Sequence, residues 1–288
     1  MTFGILALLA CGTHDDDDRP DYSALGTPPD QIQFEMVSVP TGQIVVQKHV
    51  GEGWGPGALD RSMQITQAYE IGTTEITCEQ WISVMGVTEG LDTEDELECG
   101  HPLRPIRNVS WMDAIRFCNA LSEQKGLTPV YTIGEATGPE ASPEVSWNPE
   151  ANGYRLPTGV EWEYAARSGS DTSEHAACED LVTDSWFSQN TQHCMPVAQK
   201  KPNALGLYDI CGNVREWTWD KKNDHDQEYN QGRRIMKDFG DEDRQARGGG
   251  YLNERNSLRV GNLYWYHPNY HNNDTGFRIA RSLEGSHL

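Results

Sequence analysis

Residues 205–220, LGLYDICGNVREWTWD, constrain the fold more than any other stretch of the chain. Leu205-Gly206-Leu207-Tyr208 alternates as a short buried strand does, and the chain then turns at Gly212-Asn213 and closes on Trp217 and Trp219. Asp209 and Glu216 flank the turn. A Gly-Asn turn can aim backbone carbonyls inward between them, so that carboxylate and carbonyl oxygens converge on a hard cation such as calcium. The same residues can equally form a hydrogen-bonded turn between packed tryptophans.

Around this stretch the elements are short and sharply punctuated. Phe34 to Val39 and Ile44 to Gln47 read as strands about a Pro40-Thr41-Gly42 turn, Gly51 to Gly57 as a glycine-rich loop, and Met63 to Ile71 as a further strand. Thr77 with Gln80, Ser110 with Asp113 and Thr158 with Glu161 carry the capping-box spacing, which predicts three helix starts. The first helix turns Trp81, Val84 and Met85 inward and stops at Gly86. The second has an apolar stripe at Trp111, Ala114, Ile115, Cys118 and Leu121 and ends near Gly126. The third, after Pro157, buries Val160 and Tyr164 on one side and Trp162, Ala165 and Ala166 on the other, as an internal helix does. Arg247 to Tyr251, Ser257 to Val260 and Phe277 to Arg281 read as strands. The resulting fold class is α+β, mixed and loop-rich, with short strands and about three short helices.

The chain's 288 residues suit one large domain, and 44 acidic against 23 basic side chains give a formal charge of −21. That balance disfavours nucleic acid and anionic membrane surfaces as partners. The apolar run Phe3 to Ala10 is too short to span a bilayer, and its ending, Leu8-Leu9-Ala10-Cys11, resembles a bacterial lipobox. On that reading residues 1–11 are a signal segment with Cys11 as the acylation site. Residues 12–33, with their aspartate run and prolines, are an extended tether; the domain spans 34–283 and a tail 284–288. The expected location is then extracytoplasmic, periplasmic or at the cell surface, with the membrane touched only by the lipid anchor.

Three motifs in order, RLPTGVEWEYAARSG from Arg155, LYDICGNVREW from Leu207 and the ending RGGGY…GFRIAR from Arg247 to Arg281, resemble the formylglycine-generating enzyme family, also called sulfatase-modifying factors. The resemblance implies the lectin-like fold of that family. It also implies a calcium site with side chains from Asp209 and Glu216 and carbonyls from Gly212 and Val214. A second family calcium site would fall between Trp186 and Pro202, where no carboxylate occurs. The family's usual glutamate after the RLPT motif is replaced by Gly159. Its enzymes handle substrate through a copper-binding cysteine pair in a pattern like GGSY-x-C-x4-C. Here the matching run is RGGGYLNERNSLR, with Asn253 and Leu258 at those positions, and no cysteine follows Cys211. Neither side chain supplies the soft thiolate that Cu(I) binds, so neither copper nor formylglycine-generating activity is expected.

Cysteines 78, 99, 118, 178, 194 and 211 make an even set compatible with disulfides. Cys178 with Cys194 is the preferred pair and Cys78 with Cys99 a second; Cys118 and Cys211 can equally be buried thiols. Other chemistries lack their signatures. His267 and His271 stand four apart with Asp274 nearby, but Pro268 denies them a helix, and no GxSxG elbow, P-loop or dinucleotide fingerprint occurs. The residue two after His271 is Asn273, not the acid of the iron-binding motif found in ergothioneine-synthase relatives.

What remains is YWYHPNYHNND, Tyr264 to Asp274, whose rigid rings and adaptable amides resemble an antibody-like recognition palette or, alternatively, an ordinary packed loop. Asn253, Tyr264, Trp265, Tyr266, His267, Tyr270, His271 and Asn273 are therefore the candidate surface for a protein or cell-envelope ligand, and binding or scaffolding is the expected function. A divergent oxidoreductase of the same family, such as its periplasmic siderophore-maturation relatives, is the alternative. The segment also resembles the Asn/Tyr/His-rich variable segment of diversity-generating-retroelement proteins, which precedes a GFR ending on this lectin-like fold.

Overall fold

In the computed structural model, residues 32–46, 61–86, 101–136, 142–173, 175, 178–222 and 242–283 are described. Cys11 and its signal segment, most of the tether, the Gly51–Gly57 loop, Cys99 and the tail lie outside them. Twelve short strands and four helices appear among the described residues.

Each of the three expected capping boxes is present. Thr77, Ser110 and Thr158 accept hydrogen bonds from the amides of Gln80, Asp113 and Glu161 at 3.3, 3.2 and 3.1 Å, and the partner side chains accept the cap amides in return at 2.9, 3.0 and 2.8 Å. Reciprocal caps satisfy two orphan donors at each helix start. The helices are α1 (Cys78–Met85), α2 (Trp111–Gln124) and α3 (Gly159–Ala166); a fourth, α4 (Leu181–Asp184), is a single turn that periodicity could not reveal. The whole predicted stripe of α2 is buried. In α3, five residues besides Gly159 are buried, Trp162, Glu163, Tyr164, Ala165 and Ala166, so the helix is internal as expected. At Gly159 an added Cβ would press on the Gln245 side-chain amide, which would have to shift.

Two four-stranded sheets organise the rest. In the first, β1 (Met36–Val39), β4 (Tyr69–Gly72), β12 (Ala280–Ser282) and β7 (Tyr154–Arg155) run antiparallel in that order. In the second the order is β10 (Tyr264–Tyr266), β9 (Arg244–Arg247), β8 (Arg215–Lys221) and β11 (Thr275–Gly276), with β11 parallel to β8. Two hairpins, β2 (Gly42–Val46) with β3 (Arg61–Ile65) and β5 (Tyr131–Ile133) with β6 (Val145–Trp147), complete it.

Several strand expectations change. Met63 to Ile71 is two strands, because the segment breaks between Ile65 and Tyr69. Leu205 to Tyr208 is a turn, since Asn203 accepts the amides of Leu205 and Leu207 and closes the chain locally. The strand expected over Arg247 to Tyr251 ends at Arg247, where Gly248 and Gly249 take φ of 90° and 75°. Ser257 lies in a 3-10 turn, Arg255–Leu258, and of the strand expected over Phe277 to Arg281 residues 277–279 link β11 to β12 while Ala280 and Arg281 are in β12.

One apolar cluster packs Trp162, Ile71, Phe187 and Leu258 around α3; a second packs Trp111, Phe117, Trp217 and Phe277 around α1 and α2. Ion pairs are buried among these. Glu163 lies between Arg167, at 3.0 Å, and Arg247, at 2.8 Å, and all three are fully or almost fully buried. Breaking such a set leaves a buried charge without compensation, which locks α3 to β9.

Candidate functional site: an aromatic and amide face beside an arginine-centred turn

The turn at Gly212 is held by its neighbours. Gly212 has φ 91°, and a Cβ would stand 2.2 Å from Trp186 O, so only glycine fits. Asn213, also left-handed at φ 56°, donates to Glu75 Oε2 at 2.8 Å and accepts from Met195 N at 2.9 Å. The amide of Val214 donates to Glu75 Oε1 at 3.0 Å. Glu75, fully buried, is a residue of this turn that sequence reasoning missed; it lies far away in the chain, and nothing in its local sequence marks it.

The turn brings Asp209 and Glu216 into one buried acidic cluster with Glu75, and the Arg278 guanidinium stands against it. Arg278 holds both oxygens of Glu216, at 2.6 and 2.7 Å, and donates to the carbonyls of Gly72 and Tyr208 at 3.0 Å each. Trp162 Nε1 adds a third donor to Glu216 at 2.6 Å. Asp209 Oδ2 accepts from Ala198 N at 2.8 Å, while its buried Oδ1 has no hydrogen-bond partner. Burial, then the like charges of Asp209 and Glu216, pushes the Glu75 carboxyl well above the usual range; burial raises Asp209 to about 6. Glu216 is thus already paired with Arg278, and a calcium ion at Asp209, Gly212, Val214 and Glu216 would share that carboxylate with the guanidinium. Among the described residues no group of three or more His, Cys, Asp or Glu is arranged to hold a metal ion.

The cysteine pairing also differs from expectation. Cys178 and Cys194 are buried in separate clusters and neither is disulfide-bonded; Cys178 instead hydrogen-bonds with Cys211. Cys78 is disulfide-bonded.

The candidate recognition loop is docked by its backbone. Pro268 and Asn272 carbonyls accept from the amides of Met112 and Asn108, each at 3.1 Å, and His271 Nε2 meets Asp113 Oδ2 at 3.1 Å. Its ends therefore sit against the start of α2. Tyr264 and Tyr266 face one side of β10. The Arg215 guanidinium lies 4.4 Å over the Tyr264 ring and pairs with Asp274. Tyr266 meets Trp217 edge-on at 5.8 Å and stacks on Tyr270 at 5.5 Å and 20°. Tyr270 is 49% exposed, the outermost ring of this stack. Arg107 donates to the Asn273 carbonyl at 3.0 Å and packs near Tyr251.

Two of the expected surface residues behave differently. Trp265, opposite Gln245 in the ladder, projects from the other side of the strand, away from Tyr264 and Tyr266. Asn253 folds back on its own turn, with Oδ1 accepting Gly250 N at 2.9 Å. His267 and Pro268 border a cavity of about 690 Å³ floored by Trp111, Trp219 and Arg244, whose guanidinium lies 4.0 Å over Trp111. Arg107, Arg215, Tyr251 and this cavity were not foreseen; they come from segments widely separated in sequence, and no spacing signals them.

Leu258, expected from the resemblance at the second cysteine position, is fully buried in the core around α3. Of the four described cysteines outside disulfides, Cys194 alone packs against the face, on Tyr251 and Val214, and it is 1% exposed. Burial raises its thiol above the ordinary range.

The mixed fold, the three capped helices and the GNV turn define the class of protein. The family model described as a sulfatase-modifying factor enzyme 1-like domain matches residues 23–283. The chain belongs to this family. A chaperone protein LppX of Paenibacillus barcinonensis is 35% identical over 252 residues, 77% of this chain and 83% of its own. The formylglycine-generating enzyme of Mus musculus is 29% identical over 161 residues, and this chain spans only 34% of its length. Among solved structures, variable protein 1 of Treponema denticola superposes with a TM-score of 0.69 at 27% identity, over 86% of this chain and 95% of its own.

Proposed function

We propose that the chain is a binding or scaffolding member of its family, acting outside the cytoplasm on a polypeptide ligand through the face of β10 and residues 267–274. One observation carries this reading: the Tyr264 ring packs against the buried Arg215 guanidinium and Tyr266 stacks on the half-exposed Tyr270, so the rings of the loop are already placed at the surface. A face fixed before binding loses little entropy on contact, which favours recognition. The four described cysteines outside disulfides are all buried, which does not favour them as an accessible copper-binding thiolate pair. The relative named a chaperone supports a polypeptide as ligand. The lipobox-like ending Leu8-Leu9-Ala10-Cys11 supports an anchored, extracytoplasmic setting with Cys11 as the lipidated residue. Among the described residues no helix is long and apolar enough to cross a membrane.

Tyr270→Ala tests the reading, because this exposed ring contributes to the face and little to the core. Capture of peptides from a displayed library is expected to fall at least about tenfold with unchanged melting temperature. Equal capture by the folded variant would defeat the proposal.

The likeness to a protein named a variable protein favours a second reading, in which Tyr264 to Asp274 is a sequence-variable recognition segment on a constant scaffold. Sequencing this locus in many isolates would decide it: differences concentrated at the loop's Tyr, His and Asn positions support it, and differences spread evenly along the domain reject it.

A further inference from the structure

Cys178 and Cys211 come from segments that the fold lays side by side. Cys178 precedes α4, and Cys211 immediately precedes the Gly212 turn. Trp186 and Gly212 form a parallel bridge between the two segments, with Asn213 N donating to Trp186 O at 2.8 Å. Both side chains are buried in the same apolar cluster, beside Leu181, Phe187 and Ile210, and their thiols are hydrogen-bonded to one another. Cys118 and Cys194 lie in two other clusters, away from this pair. The chain also carries a disulfide at Cys78, so its fold accommodates oxidised sulfur elsewhere.

We propose that Cys178 and Cys211 become a structural disulfide when the protein folds in an oxidising compartment. The oxidant is an exogenous disulfide, either a small-molecule one or the active-site disulfide of a thiol oxidase. One protein thiolate attacks it to give a mixed disulfide and releases one thiol. The second protein thiolate then attacks the protein sulfur of that mixed disulfide and displaces the other thiol. Two protein S–H bonds are lost, one S–S bond forms, and the oxidant leaves as two thiols. Burial holds both groups away from external thiols in the native state, and the hydrogen bond with Cys211, then burial, raises the Cys178 thiol far above its ordinary range, so the exchange belongs to folding and the finished bond resists reduction. The bond fastens the segment leading through α4 to Trp186 against the Gly212 turn. That segment reaches Ser188, whose amide donates to the Asn253 carbonyl at 3.1 Å, so the staple also braces one end of the candidate face.

The test uses the full chain exported to an oxidising compartment, denatured in an alkylating agent without reductant, and digested for mass spectrometry. A cross-linked peptide pair containing Cys178 and Cys211 is expected, with Cys118 and Cys194 alkylated. In parallel, reductant applied during unfolding lowers the melting temperature of the wild-type chain by several degrees more than that of Cys178→Ala/Cys211→Ala, which keeps the disulfide at Cys78. Alkylation of Cys178 and Cys211 to the same extent as Cys118, or a link from Cys178 to any other cysteine, overturns the proposal. The mass-spectrometric result on the unmutated chain stands even if the double variant does not fold.

Discussion

Replacing Asp209 with asparagine tests whether Arg278 suffices as the cation of the buried turn. Asp209 is 5% exposed and shares its surroundings with Glu75 and Glu216. Burial raises its carboxyl from 3.8 to about 6, against the opposing pull of the Ala198 amide and Arg278. Because the folded-state value lies above the unfolded one, the native state holds the proton more tightly. This contribution to stability is fully present below about pH 4 and is lost as pH rises through about 6. At about 1.4 kcal/mol per unit, a shift of about two units corresponds to about 3 kcal/mol. Asparagine keeps an acceptor for the Ala198 amide, tolerates the φ of 56° at this position and carries no charge. Asp209→Asn is therefore expected to be more stable than wild type by about 1–3 kcal/mol near pH 8, or about 3–8 °C in melting temperature for a domain of this size. Near pH 4 the two proteins should melt together. Thermal unfolding across this pH range, in chelator and in calcium, measures both. A variant less stable than wild type near pH 8, or calcium that stabilises wild type and not the variant, would refute the reasoning and assign the carboxylate to a bound metal.

Other substitutions test the frame around the face. Gly212→Ala places a methyl 2.2 Å from Trp186 O at a left-handed φ, and a loss of at least about 3 kcal/mol is expected in denaturant unfolding. Glu163→Gln removes the anion between Arg167 and Arg247 and is expected to cost about 3–5 kcal/mol by the same assay. Gly159→Ala, which forces Gln245 off Arg247, should cost about 1–3 kcal/mol and leave α3 capped, as read from the urea midpoint and far-ultraviolet circular dichroism.

The helices were legible in the sequence because their signals are local. A hydroxyl three residues before a carboxylate or amide sets each start, and the burial of Trp111 to Leu121 follows one stripe. The strands were less so. β9 to β12 are two to four residues long, and the left-handed glycines 248 and 249 and the Asn203 side chain, which closes on Leu205 and Leu207, decide where the chain turns. The motif around Gly212 did show where Asp209 and Glu216 converge. It could not show that Arg278, more than sixty residues on, would take the carboxylate, nor that Glu75 would cap the turn. The Tyr/His/Asn loop identified the face by composition, but strand alternation sets Trp265 on the other side, and Arg107 and Arg215 join only through the tertiary fold. Cysteine spacing suggested Cys178 with Cys194, whereas the bridge between Trp186 and Gly212 brings Cys178 to Cys211.

The central claim is recognition of polypeptide by the face that Tyr270 caps, and a paired affinity measurement tests it most directly. Peptides enriched on the wild-type chain from a displayed library are titrated against wild type and Tyr270→Ala, with melting curves for both. The account predicts matching melting temperatures and at least about tenfold weaker binding by the variant. Equal affinities, or no peptide enriched on the wild-type chain at all, would contradict it.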